Sequence, residues 1–236
     1  MRLRVLLVTM LTLTTVLLAA CPGPTPPPLP LPTQPPPPTL PAPPTVAAPS
    51  PAPDDFRVHE TARLVIRLPK NWEALDVEKS DLQAVFAEFQ KNNPQLAAVV
   101  GSADALRGVA LWAFSRPAGD GTGFVDNLNI RRVSLAGQPA PSIQALLDQV
   151  LGQYRQLGFV IGESKADLKI GAQPAAIISY IFPMVGADGK TISADGRQYL
   201  VLTTSDLWIL SYTLGPGQAA LLAPMVEESA QSFRVK

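Results

Sequence analysis

Residues 22–53 set the outline of this chain before any helix or strand is considered. The segment holds most of the 26 prolines, has no charged residue, and is otherwise built from Thr, Ala, Leu and little else. Proline fixes φ and removes a backbone donor, so neither helix nor sheet propagates through such a stretch. The expected state is solvated, extended polyproline II. At about 3.1 Å per residue the segment reaches roughly 100 Å when fully extended, less where the prolines are interrupted. A spacer fits better than a ligand for a proline-reading domain, because such domains favour a flanking Arg or Lys and residues 22–53 contain neither. Everything able to build a core must therefore lie downstream, and the first folded residue is expected at Asp54.

What precedes the spacer explains what it is attached to. The chain opens "MRLR" and runs into an apolar stretch, Val5–Leu18, of about 14 residues, short of the roughly 20 a membrane span requires. A basic start and a short apolar run are the n-region and h-region of a signal peptide. Leu18-Ala19-Ala20-Cys21 then resembles the bacterial lipobox, an apolar residue and two small ones before a cysteine. The resemblance implies a bacterial lipoprotein: Cys21, the chain's single cysteine, takes a diacylglyceryl group on sulfur. It becomes the mature N-terminus and is usually acylated on its amine as well. One acyl chain binds membranes only marginally, at about 0.8 kcal/mol per buried CH₂, whereas two or more anchor stably. The expected organisation is a signal peptide at 1–20, a lipidated Cys21 with its proline-rich linker at 21–53, and one globular domain at 54–236. The expected place is the extracytoplasmic face of the cell membrane, with membrane lipid as the partner of Cys21.

Charge excludes one large class of partners. The 19 basic and 19 acidic residues balance, and only Arg2 and Arg4 precede residue 54, so the globular part is nearly neutral and no nucleic acid is expected. One cysteine rules out an internal disulfide framework. One histidine, His59, rules out a multi-histidine metal site.

The downstream pattern predicts an α+β fold. "ARLVIRLP" alternates, with Leu64, Ile66 and Leu68 on one face and Arg63, Val65 and Arg67 on the other, as in a half-buried strand stopped by Pro69. "KNW" reads as a turn, with Trp72 plugging a core edge. Ser80-Asp81-Leu82-Gln83 is a capping box, and Leu82, Val85, Phe86 and Phe89 form one helix face after it. Asn93-Pro94 opens a second short helix to about residue 100. Strands are expected at 108–116 and 124–133, and a helix at 142–157 with Ser142 as its cap and Gly158 at its close. Four strands follow at about 160–170, 174–182, 197–204 and 207–214, then a helix at about 218–232. Ala172-Gln173 and Ser205-Asp206 read as turns, and "GADGKTISADG" as a long polar hairpin loop. The strands outnumber what parallel crossovers need, which points to a mostly antiparallel sheet flanked by helices.

The stretches "LVIRLPKNW", "DNLNIRRV", "AAIISYIF", "QYLVLTTSDLWILSYTL" and "ESAQSFRV" resemble the PsbP-like fold, an α/β/α sandwich named for an extrinsic photosystem II subunit. The resemblance implies a compact module, often exported or lipid-anchored, that binds other proteins. It brings no catalytic residue, no cofactor and no metal.

Chemistry-bearing residues are sparse. His59, beside Glu60, reads as an edge residue rather than a general base. Gly119-Asp120-Gly121-Thr122-Gly123 reads as a turn before a strand; an anion cradle would open a helix. Asp188, Asp195 and Asp126 lack EF-hand spacing. Trp72, Trp112, Trp208, Tyr199 and Tyr212 read as core more readily than as a pocket lining. The functional expectation is a non-enzymatic, membrane-anchored protein-binding module. The alternative is a small apolar ligand held in a pocket between sheet and helix.

Overall fold

The computed structural model describes residues 55–77, 108–115, 124–136, 141–185 and 191–236. The chain divides into two units, Met1–Ala47 and Ala48–Lys236, and every described residue belongs to the second. Cys21 and its lipobox, the two helices expected between Ser80 and Val100, Gly119–Gly123 and Asp188 lie outside the described residues.

Ten strands and two helices follow in order: β1 (Phe56–Glu60), β2 (Leu64–Pro69), β3 (Trp72–Asp76), β4 (Val109–Ser115), β5 (Asn127–Ser134), α1 (Ile143–Gln156), β6 (Val160–Ile170), β7 (Gln173–Val185), β8 (Thr191–Leu202), β9 (Asp206–Leu214), α2 (Ala219–Gln231) and β10 (Arg234–Val235). Every pairing is antiparallel. Seven strands make the main sheet, in the order β3-β4-β5-β9-β8-β7-β6, and β1-β2-β10 make a small second one. The α+β, mostly antiparallel expectation holds. One face of the main sheet carries α1, and the other is shared by α2 and the small sheet, so among the described residues helices cover less than an α/β/α sandwich implies. No helix among them is long and apolar enough to cross a membrane.

Strand β9 shows why the sheet is central. Trp208, Leu210, Tyr212 and Leu214 enter the core shared with α2 and the small sheet, while Leu207 and Ile209 enter the core under α1. A strand buried on both faces reads as a nearly continuous apolar run, and "DLWILSYTL" does. Helix α1 begins where Ser142 Oγ accepts the Ala145 N–H at 3.1 Å and ends at Gly158, whose φ of 76° is the left-handed value that side chains disfavour. Its Leu147 and Leu151, one turn apart, pack on Ala176, Ile178, Leu200 and Ile209.

Four boundaries differ from expectation, each for a local reason. Trp72 opens β3 and pairs with Ser115, so the turn is confined to Lys70-Asn71. The "GADGKTISADG" loop is shorter than expected, because Thr191–Gly196 pair with β7 and extend β8. The turn after Ile170 is Gly171-Ala172, and Gln173 is already in β7. Asp206 is a strand residue; Thr203 Oγ1 accepts its N–H at 2.9 Å and closes the turn one residue earlier. Apart from these boundaries, Pro224 sits in the second turn of α2, where proline removes one helix hydrogen bond.

Candidate functional site

His59 stands on edge strand β1, opposite Ile66. Its Nε2 accepts from Arg57 Nε at 3.0 Å, and Arg57 Nη2 donates onward to the Trp72 carbonyl. Burial, then the charge of Arg57, hold the imidazole below its usual pKa. His59 is therefore a neutral acceptor at pH 7 whose lone pair is already engaged.

Asp126 and Asp195 serve the backbone. Asp126 Oδ1 accepts from Gly215 N at 2.8 Å, and Asp195 Oδ2 accepts from Ala219 N at 3.0 Å. The N-cap residue of α2, Gln218, makes no side-chain capping bond, so the buried Asp195 supplies one from β8. A carboxylate there also faces the positive end of the helix. Asp195→Ala is expected to lower stability by about 1–2 kcal/mol, and Asp195→Asn by less; urea unfolding of both variants checks this. Equal losses from Asn and Ala would remove the capping argument. Among the described residues no three His, Cys, Asp or Glu side chains group as metal ligands.

The aromatics singled out by the sequence are core. Trp72, Tyr199, Trp208 and Tyr212 fill the space between main sheet, small sheet and α2, with Tyr199 and Tyr212 edge-to-face at 6.1 Å. Trp112 is buried beside Phe114 at 6.0 Å.

Polar chemistry gathers instead at two places on β8, one on each face. On the α1 side, Gln198 Nε2 donates to Ser211 Oγ at 2.9 Å. Gln198 and Tyr180 also lie within hydrogen-bond reach of the Tyr154 hydroxyl. Tyr154, Phe159, Tyr180 and Phe182 close around this row with centroids 4.6–5.6 Å apart. Gly196 belongs to the same arrangement. It pairs with Tyr180, whose ring lies where a Cβ would sit.

On the α2 side, Arg197 pairs across β7 with Ser179. Ser179 Oγ accepts from Glu163 N at 2.7 Å and so fixes β6 at its register shift. Glu163 is thereby brought to Arg197, with Oε2 3.6 Å from Arg197 Nη2, while Glu227 of α2 approaches the same nitrogen to 3.9 Å. Neither distance is a hydrogen bond. Glu163 Oε1 is held by Lys165 at 2.7 Å, and that contact keeps its carboxyl below the ordinary pKa despite some desolvation. Among the described residues the buried Arg197 Nε has no hydrogen-bond partner, and the buried Tyr199 hydroxyl, within reach of the guanidinium as an acceptor, finds none for its own O–H. Burial pushes the Tyr199 phenol up to about 12; the adjacent guanidinium offsets part of this. An unsatisfied buried donor costs about 1–3 kcal/mol, more when charged, so two at one place call for an explanation. Local pattern contains no sign of it, because Glu163, Arg197 and Glu227 meet only in the folded sheet.

No family model matches the chain, and no curated protein does. Several solved structures overlap it, two of them as follows. One is cyanobacterial PsbP (CyanoP) from Synechocystis sp. PCC 6803, at 9% identity over 82% of this chain and 99% of that one, with a TM-score of 0.48. The other is PA94 from Pseudomonas aeruginosa, a protein of unknown function, at 18% identity over 51% of this chain and 80% of that one, with a TM-score of 0.41.

Proposed function

We propose that this chain is an exported lipoprotein, held at the extracytoplasmic face of a membrane through Cys21, whose globular part binds another protein without catalysis. The observation that carries the reading is Leu18-Ala19-Ala20-Cys21, placed between a short apolar run and the charge-free proline tract. Cys21→Ala is expected to abolish lipidation and release the protein from membranes. Fractionation with high-salt washing, together with the intact mass of protein made in its own host, measures this. A variant that stays with the membrane, or a wild-type thiol found unmodified, defeats the anchor.

Binding rather than catalysis is supported by how the reactive groups are engaged. His59 is tied to Arg57, and Asp126 and Asp195 are tied to backbone. The contact face we assign is the corner where Val160 and Ile181, cross-strand partners on β6 and β7, stand 64% and 44% exposed, close in sequence to exposed Leu157. Crosslinking on intact membranes, with the anchor kept, should recover one stable protein partner, and Val160→Asp should lose it. The half-buried cluster of Tyr154, Phe159 and Phe182 favours a second reading, a small apolar ligand at the sheet–α1 seam. Recovery of a bound lipid or metabolite by mass spectrometry, with no partner crosslinked, would decide for it.

A further inference from the structure

We propose that Arg197 and Tyr199 form a binding subsite for one carboxylate group. Both side chains project from the same face of β8, two residues apart, with Glu163 of β6 and Glu227 of α2 beside Arg197. The guanidinium side chain is 17% exposed. Among the described residues its Nε finds no hydrogen-bond partner and its Nη2 has only the two long approaches to Glu163 and Glu227; the Tyr199 oxygen lies within its reach as an acceptor, which leaves the Tyr199 O–H with no acceptor of its own. A guanidinium presents Nε–H and Nη–H side by side, and a planar carboxylate accepts both. The phenolic O–H adds a third donor from a residue that is 1% exposed.

The neighbours select the ligand. Glu163 and Glu227 lie within 4 Å of the guanidinium, so a phosphate dianion meets two repelling charges with twice the load of a carboxylate. Glu163 is occupied by Lys165. Glu227 is 60% exposed on α2 and free to swing outward, which makes it the internal competitor an incoming carboxylate replaces. The carboxylate belongs either to a free organic acid or to a protein chain; the donor geometry is the same for both.

The test follows the Arg197 Nε–H and Tyr199 ring signals by NMR in the full-length protein at constant ionic strength. Acetate should shift them saturably, and acetamide, its neutral isostere, should not. Glu227→Gln should tighten acetate binding about 3-fold or more by removing the competitor, an effect that misfolding cannot imitate. Tyr199→Phe should weaken it about 5-fold, the worth of one hydrogen bond, and Arg197→Gln should abolish it. A tripeptide with a free C-terminus that binds tighter than acetate, and loses binding when amidated, assigns the carboxylate to a protein; equal affinity assigns it to a free acid. Absence of saturation, shifts equally caused by acetamide, or an affinity untouched by Glu227→Gln overturns the subsite and leaves a trapped water as the partner of both donors. None of these results bears on the anchor at Cys21, so the two readings fail independently.

Discussion

Raising the pH from 10 to 12 is expected to unfold the domain cooperatively, and its tyrosines should ionise only as it does so. All four tyrosines of the chain, Tyr154, Tyr180, Tyr199 and Tyr212, have pKa values raised above the ordinary 10, burial being the largest cause in each. Tyr180 is pushed up further by the hydroxyl of Tyr154, and Tyr199 reaches about 12. A phenol that keeps its proton in the folded state and loses it in the unfolded state contributes stability that is complete below pH 10. That stability drains away as the pH climbs toward the folded pKa. Each such group removes about 1.4 kcal/mol per pH unit in that window. Tyr199 and Tyr212 together remove about 3 kcal/mol per unit, so two units take roughly 5 kcal/mol, and Tyr180 adds in the same direction. That rivals the roughly 5–15 kcal/mol by which a domain is stable. Tyrosinate absorbance and circular dichroism, recorded on the same samples, should therefore rise and fall together. A phenol titrating normally near pH 10 while the circular dichroism stays native would show that the core is open to water.

Tyr199 and Tyr212 were visible in the sequence as candidates for the core, and the reason shows what pattern conveys. Trp208, Leu210, Tyr212 and Leu214 alternate along one strand, and alternation fixes a face whatever lies above it. Helix α1 was legible at both ends because Ser142 and Gly158 act locally. The elements that pattern missed depend on distant partners. β1 pairs only with β2 and leaves Val58 exposed on an edge, so the brief Phe56/Val58 alternation in "FRVHE" marks no buried face. β10 is two residues that exist as a strand because Val65 and Leu64 receive them. The first half of β8 reads as a loop because of its Ser, Asp and Gly. Yet Gly196 is there for the ring of Tyr180 to lie across it, and Asp195 to reach the first turn of α2. The Arg197 subsite was illegible for the same reason, since a strand Arg looks like any solvated cation until Glu163 and Glu227 are brought beside it. The anchor is the opposite case. Leu18 through Cys21 act as a linear address, so sequence is where their signal resides.

Trp208→Ala is expected to cost about 3–5 kcal/mol, more than any other single change considered for the core. Trp208 is 1% exposed at the middle of the cluster between main sheet, small sheet and α2, and its ring lies 5.6 Å from that of Phe233. Phe233 is the residue before β10, and β10 closes the small sheet on β2. Removing the indole opens a cavity and also frees the chain's last strand, so loss of packing should spread to the C-terminus. Trp208→Phe separates the two contributions. It keeps a ring against Phe233 and deletes a buried indole N–H that has no partner among the described residues, a group whose desolvation costs about 1–3 kcal/mol. The expected order of urea midpoints is wild type, then Phe close below it, then Ala far below, with limited proteolysis at the C-terminal residues faster only in the alanine variant. If Phe proves as damaging as Ala, the indole N–H has a partner after all. If Ala leaves the C-terminus as protected as in the wild type, Trp208 does not hold the small sheet against the large one.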